Sequence, residues 1–209
     1  THEGTDLAYV KTLAREAGHV FYIEPGPLPG ANVAYWGPEI RLGMVQPALT
    51  LGMDVHSNVE SLSFAVNQSG AEIPIVFIQN PITKFPIPLP VPDVSLANPP
   101  LGLIPPMPKS VKLMKETAKL SPIAALGKGL AAAAGSSADA VTGDGSLDVL
   151  RYGHVLKARQ LVGVRGAGLS FDGLYYVKKV SSKLKAGEFK QSFSLARNGL
   201  ISTLPLVPA

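Results

Sequence analysis

The 209-residue sequence predicts a mainly β protein with minor α: a small antiparallel β-barrel, preceded by a helix-strand segment and interrupted by a long Pro/Ala-rich insertion. Three observations carry that expectation. Near the C-terminus, two runs of alternating character, rich in β-branched and aromatic residues, flank Lys185-Ala186-Gly187-Glu188, the pattern of a half-buried strand hairpin. The 19 prolines and 21 glycines break the rest of the chain into short segments and disfavour long helices. Between residues 80 and 146 the alternation gives way to prolines and then alanines, as an excursion from a barrel would. The expected organisation is a helix-strand segment over 1–44 and a barrel domain over 45–209, with an inserted arm and helices at 80–146.

Thr5 is placed to cap a helix starting at Asp6, whose charge suits the positive helix end. Leu7, Val10, Leu13, Ala14 and Ala17 recur at helical spacing, and Gly18 supplies the stop. His19 to Glu24 reads as a strand, and Asn32 to Trp36 as another after the Pro25–Pro29 bend. Trp36, the lone tryptophan, is expected to be a partly buried core anchor. Ala48–Val55 and Val59–Asn67 read as strands joined through His56-Ser57-Asn58. Ile73–Ile78 reads as a third, held to an edge or a strand start by Pro74.

In Phe85–Pro92, prolines at alternate positions remove amide donors, which predicts an extended arm with no ladder of its own. Val111–Leu120 reads as a short helix, with Lys112, Lys115 and Lys119 on a solvated stripe. Ser121-Pro122 opens a second helical stretch, Gly135–Ser146 reads as a small-residue linker, and Leu147–Leu156 returns to the barrel, giving six or seven strands in all. In the hairpin, Leu174, Tyr176, Val180 and Leu184 are expected on one face, opposite Tyr175, Val177, Lys179, Ser181 and Lys183. Lys178 breaks the alternation. Phe189, Phe193 and Leu195 share the core side of the second strand.

Several linked motifs give these elements a relative. LDVLRYG, LVGVRGAG, FDGLYYVKKV, GEFKQSF and NGL, in this order between Leu147 and Pro205, resemble the C-terminal part of phage late control D proteins, the baseplate hubs of contractile tails and related injection systems. That family is similar to the hub half of type VI secretion spike proteins. TDLAYVKTLAREAGHVFYIE is similar to the segment that follows the family's first barrel. The resemblance implies a barrel of the tube-docking type and a chain that is either a fragment of a longer hub or a naturally short hub. It further implies a homotrimer whose partners are the tail tube protein and the central spike protein, located in a virion tail or tail-like particle and made in the bacterial cytoplasm.

Chemistry is sparse by comparison. GVRGAG precedes a strand, so it lacks the helix N-terminus that would make a glycine loop bind phosphate. His2, His19, His56 and His154 are isolated, no HExxH, GxSxG or CxxC occurs, and the spacing of Asp139, Asp144 and Asp148 suits turns and caps better than calcium. No catalytic residue, metal ligand or cofactor is assigned, and a non-enzymatic role is expected. The competing possibility is a tail-tip enzyme or carbohydrate-binding barrel acting on the cell wall, which would need an acidic pair in a cleft.

Without cysteine there are no disulfides and no thiolate zinc site. A net charge of +4 with dispersed Lys and Arg argues against nucleic acid as a partner. No signal peptide is expected at the start, and the Ile123–Ala134 stretch is too short and interrupted for stable membrane insertion. With 46% hydrophobic and only 16% charged residues, the surface is expected to meet a partner. Arg151, Arg159, Arg165, Lys178, Lys179 and Arg197, on the hairpin and neighbouring segments, are the candidate interface residues, since Arg is favoured at interfaces and Lys178 intrudes on an apolar face.

Overall fold

The computed structural model describes residues 4–52, 56–67, 72–80, 82–92, 98–114, 117 and 120–204. The chain divides into two compact units. One gathers Thr1–Ile40, Ile73–Ala97 and Val111–Ala134, and the other Arg41–Glu72, Asn98–Ser110 and Gly135–Ala209.

In the first unit, α1 (Asp6–Glu16) begins where Thr5 accepts the Ala8 amide at 3.3 Å. It ends at Gly18, whose φ of +70° is a left-handed conformation that side chains resist. β1 (Val20–Pro25) and β2 (Asn32–Gly37) pair antiparallel, with Phe21 opposite Trp36 and Tyr22 opposite Tyr35. Trp36 differs from expectation: it is 45% exposed, with the His19 ring edge-on at 6.5 Å and the Phe21 ring tilted at 6.2 Å. A two-stranded ribbon has only one partner strand over which to fold its aromatic residues.

A three-stranded sheet in the same unit has the order β6-β5-β8, from β5 (Glu72–Gln79), β6 (Pro86–Pro90) and β8 (Ser110–Met114). The proline run therefore does form a ladder, contrary to the expectation of an arm without one. Ile87 faces Ile78 and Leu89 faces Val76 in the register, and the Val91 amide donates to the Pro74 carbonyl at 2.9 Å. Amides of alternate residues point to the same side of a strand, so a proline at every second position strips only the outer edge of donors.

Pro74 likewise sits in the central strand, near its start. The stretch expected as a helix over Val111–Leu120 is strand where it opens. Ser110–Met114 is strand β8, and Lys115 and Lys119 lie outside the described residues. β-branched Val111 at a period of two with Leu113 suits a strand. The helix expected after Ser121 is α2 (Pro122–Ser137). At Gly129 a Cβ would come within 2.7 Å of both Val76 and Val91, so glycine is what lets α2 lie against this sheet.

The second unit is built on a six-stranded curled sheet in the order β3-β10-β11-β12-β9-β4. Its strands are β3 (Val45–Thr50), β4 (Ser61–Val66), β9 (Val141–Asp148), β10 (Leu161–Arg165), β11 (Gly173–Lys185) and β12 (Glu188–Arg197). All ladders are antiparallel except β3 with β10, which is parallel. The outer edge of β3 is bridged by the following loop: Asn58 accepts the Thr50 amide at 2.8 Å and donates to the Ala48 carbonyl at 2.8 Å.

Three sequence assignments move here. Ile73–Ile78 belongs to the other unit's sheet, Gly135–Ser146 is the end of α2, a turn and the first part of strand β9 and not linker, and Leu147–Leu156 begins with the end of β9 and continues in a short helix, α3 (Val149–Tyr152), capped by Asp148. Small residues in β9 mislead by composition but suit the site: at Gly145 a Cβ would lie 2.5 Å from the Ser61 carbonyl and 2.7 Å from the Phe193 ring. A further small ribbon pairs β7 (Gly102–Ile104) with β13 (Leu200–Ser202).

The core of this unit includes Leu49, Val141, Leu147, Val162, Val164, Tyr175, Val177 and Leu195, all buried, with Val149, Tyr152 and Leu156 closing over it. Each such side chain contributes about 1.5–3 kcal/mol relative to exposure. The face assignment in β11 reverses part-way along. Tyr175 and Val177 are core and Leu174 and Tyr176 form a separate small cluster, yet beyond Lys178 it is Val180 that packs on the core. The register shift between Val177 and Lys179 explains this: Lys178 is the extra residue of a β-bulge, and one extra residue swaps the faces of everything after it.

Candidate interaction surface

The bulge re-aims one cation. Lys178 leaves the alternation and its ammonium pairs with Asp139, in the turn between α2 and β9, whose other carboxylate oxygen holds Arg41 at 3.1 Å. Arg41 is buried, donates to the Ala138 carbonyl at 2.6 Å and lies 5.0 Å from the Tyr176 ring centre. Burial pushes the Asp139 carboxyl upward, but the hydrogen bond from Lys178 and the nearby charges of Arg41 and Lys178 outweigh it and hold the group below the usual carboxylate range. Asp139 is therefore an ion-pair centre between two cations, which Lys178 alone in sequence could not disclose.

Arg197 is not a surface residue. It is fully buried on the core side of β12, with Nε donating to Gly199 at 2.7 Å, Nη1 to Asp172 at 2.9 Å and Nη2 to Ser170 at 2.6 Å, all backbone carbonyls. Its guanidinium stacks 4.6 Å from the Tyr175 ring centre. The planar fork suits two carbonyls of the turn between β10 and β11 and one just past β12, so this arginine fastens that turn to the end of β12. Burial lowers its pKa from the ordinary value and pushes the Tyr175 phenol up to about 12.

The other expected residues stay nearer solvent. Lys179 is exposed on the hairpin, and Arg151 is exposed in the last turn of α3. Arg159, half-buried at φ +63°, donates its amide to the Val177 carbonyl at 2.7 Å, which brings it beside the bulge. Half-buried Arg165 ends β10 and takes the Leu51 amide on its carbonyl. The run of exposed lysines beyond the bulge, including Lys183 and Lys185, was visible in the sequence as alternation. An apolar hollow of about 300 Å³ lined by Val66, Ile104, Pro105, Met107, Val141 and Leu200 was not, because it joins four separate stretches and had no local signal.

Among the described residues no group of three or more His, Asp or Glu converges as a metal site, and no helix is long and apolar enough to cross a membrane. No family model and no curated protein matches the sequence. Solved structures do match. A tail protein from Neisseria meningitidis MC58 aligns with a TM-score of 0.59 at 11% identity, over 95% of this chain and 56% of its own. The 43 kDa tail protein of prophage MuSo2 from Shewanella oneidensis aligns with a TM-score of 0.60 at 13% identity, over 95% and 54%. The likeness is one of fold. The chain spans little more than half the length of either protein.

Proposed function

We propose that this chain is a structural component of the baseplate hub of a contractile phage tail or tail-like injection system, joining the tail tube to the central spike within a homotrimer. The observation that carries the reading is the fold shared over 95% of the chain with two proteins described as tail proteins. The motifs that resemble late control D proteins support the finer assignment. Those of the C-terminal part fall in the second unit, with LDVLRYG on the end of β9 and α3, LVGVRGAG on β10 and its turn, FDGLYYVKKV on β11, GEFKQSF on β12 and NGL at the start of β13, while TDLAYVKTLAREAGHVFYIE falls on α1 and β1 of the first.

Co-expression with the tube protein of the same tail tests the proposal. Co-purification with tube protein, and density for this chain between tube and spike in particle images, is the expected result. A chain that binds neither tube nor spike, and whose deletion leaves assembled tails intact, overturns it. Arg151, Arg159, Arg165, Lys178 and Lys179 are the proposed contacts. Lys178 also holds Asp139, so the contact test is charge reversal of exposed Arg151 and Lys179 together, which should weaken tube binding while leaving the melting temperature unchanged.

A further inference from the structure

An open sheet edge is a row of amides and carbonyls ready to pair with another chain, and folded proteins protect such edges with proline, charge or cover. The two larger sheets of this chain end in β3 and β4 on one and in β6 and β8 on the other. β6 carries proline at every second position, β8 carries Lys112 at its centre, and β3 carries Pro47 and is bridged by Asn58. β4 has no such protection. It reads SLSFAV, with neither proline nor charge, and among the described residues no strand lies on its outer side.

The ladder fixes which backbone groups face that side. The Asn67 amide donates to the Ala140 carbonyl at 2.8 Å, so Asn67 and, by alternation, Ala65 and Ser63 turn their backbone groups to β9. Leu62, Phe64 and Val66 turn theirs outward.

At its Val66 end this edge meets the apolar hollow of about 300 Å³. Val66 and Val141, paired across the ladder, line it from the sheet, and Ile104, Pro105 and Met107 line it from β7 and the segment that follows. Met107 is 83% exposed. Prolines at 105, 106 and 108 fix φ along that segment and limit how far it can fold in to fill the space. A residue laid beside Val66 on the open side presents its side chain to the same face as Val66, and so to the hollow. Among the described residues lining the hollow, Lys109 alone is charged, and it is exposed.

We propose that β4 takes up an extended segment of a different protein as an added strand, with one bulky aliphatic side chain of that segment in the hollow and a carboxylate next to it at Lys109. Main-chain bonds to Leu62, Phe64 and Val66 supply affinity for an extended segment, and the hollow and Lys109 supply the choice of sequence. A small amphiphile would fill the hollow and leave the edge idle. The β4 of a second copy would bring a strand without an acid. The contact needs nothing from the hub reading.

Fluorescence anisotropy of the full chain with short, end-blocked peptides of alternating threonine and valine tests it. One peptide carries leucine beside glutamate at its N-terminal end and another carries the pair at its C-terminal end, which covers both strand directions. One of the two should bind saturably. Exchanging its leucine for alanine should weaken binding by about tenfold or more, and exchanging its glutamate for lysine by about two- to fivefold, as suits an exposed charge pair. Lys109→Glu should reverse the second preference, so that the lysine peptide binds better than the glutamate one. N-methylation of alternate peptide amides of one parity should abolish binding, and of the other parity should leave it, since only one side of an added strand faces β4. These changes are in the peptide and leave the fold of the chain untouched. Amide exchange at Leu62, Phe64 and Val66 should slow in the complex.

Absence of saturable binding by either peptide, or binding indifferent to methylation at both parities, overturns the proposal. Decanoate filling the hollow while neither peptide binds overturns it too, as does self-association that occludes β4 in the chain alone. Lys109 lies outside the proposed tube contacts, so tube binding measured on Lys109→Glu reports on the hub proposal, and the two can fail independently.

Discussion

Arg197→Met tests whether the buried guanidinium fastens the second unit. The substitution keeps the apolar stem and leaves the carbonyls of Gly199, Asp172 and Ser170 without their donors. A lost bond to a charged donor costs about 1.5–3 kcal/mol, although turn carbonyls at the edge of the core regain part of it from water. Loss of the cation from the Tyr175 ring adds about 1 kcal/mol, and relief of the desolvated charge returns some. The net expectation is about 3–4 kcal/mol. For a chain of this size that is roughly 6–16 °C in melting temperature. Arg197→Lys should fall between, since one ammonium cannot reach three carbonyls in a plane. Urea unfolding and calorimetry read both. If Arg197→Met stays within about 1 kcal/mol of the parent, the fastening role assigned from this geometry is wrong.

Asp139 has a folded pKa below its unfolded value of about 3.9, so its contribution is present above that value and lost as pH falls through the folded pKa. Asp139→Asn should flatten the acid limb of a stability-against-pH curve from urea melts, and a limb of unchanged slope would count against the ion-pair centre. Tyr152 and Tyr175 are both pushed up to about 12 by burial. Stability should therefore be full below about 10 and decline toward 12 as the unfolded phenols ionise first; Tyr175→Phe should reduce that alkaline slope in the same melts. Pro88→Thr restores an amide donor on the outer edge of β6. Light scattering should then show association at raised protein concentration beyond that of the parent.

The first unit's helix and ribbon were legible because their signals are local. Thr5, Asp6 and Gly18 mark the ends of α1, and each lies in the helix or within two residues of its end. The strand hairpin was legible for the same reason. Its interior was not, because the bulge at Lys178 exchanges the two faces, and a break in alternation does not say whether the chain resumes on the same parity or the opposite one. β9 was hidden by composition. Val141–Asp148 reads TGDGS at its centre, the chemistry of a turn, yet those small residues are what the close crossing of Ser61 and Phe193 permits. Only the neighbouring strands decide between the two.

The proline run shows how one periodicity supports two structures until a partner strand is known. Prolines at 86, 88 and 90 argue against a ladder if the strand needs donors on both sides. They argue for an edge strand if it needs them on one, and Val91 donating to Pro74 identifies the side that is used. The cations follow the same logic. Arg197 and Lys178 both break apolar faces in the sequence, but the first turns inward to three carbonyls and the second is turned by the bulge onto a carboxylate. Arg197 is thereby withdrawn from the surface, and Lys178 can meet a partner only while it also holds Asp139.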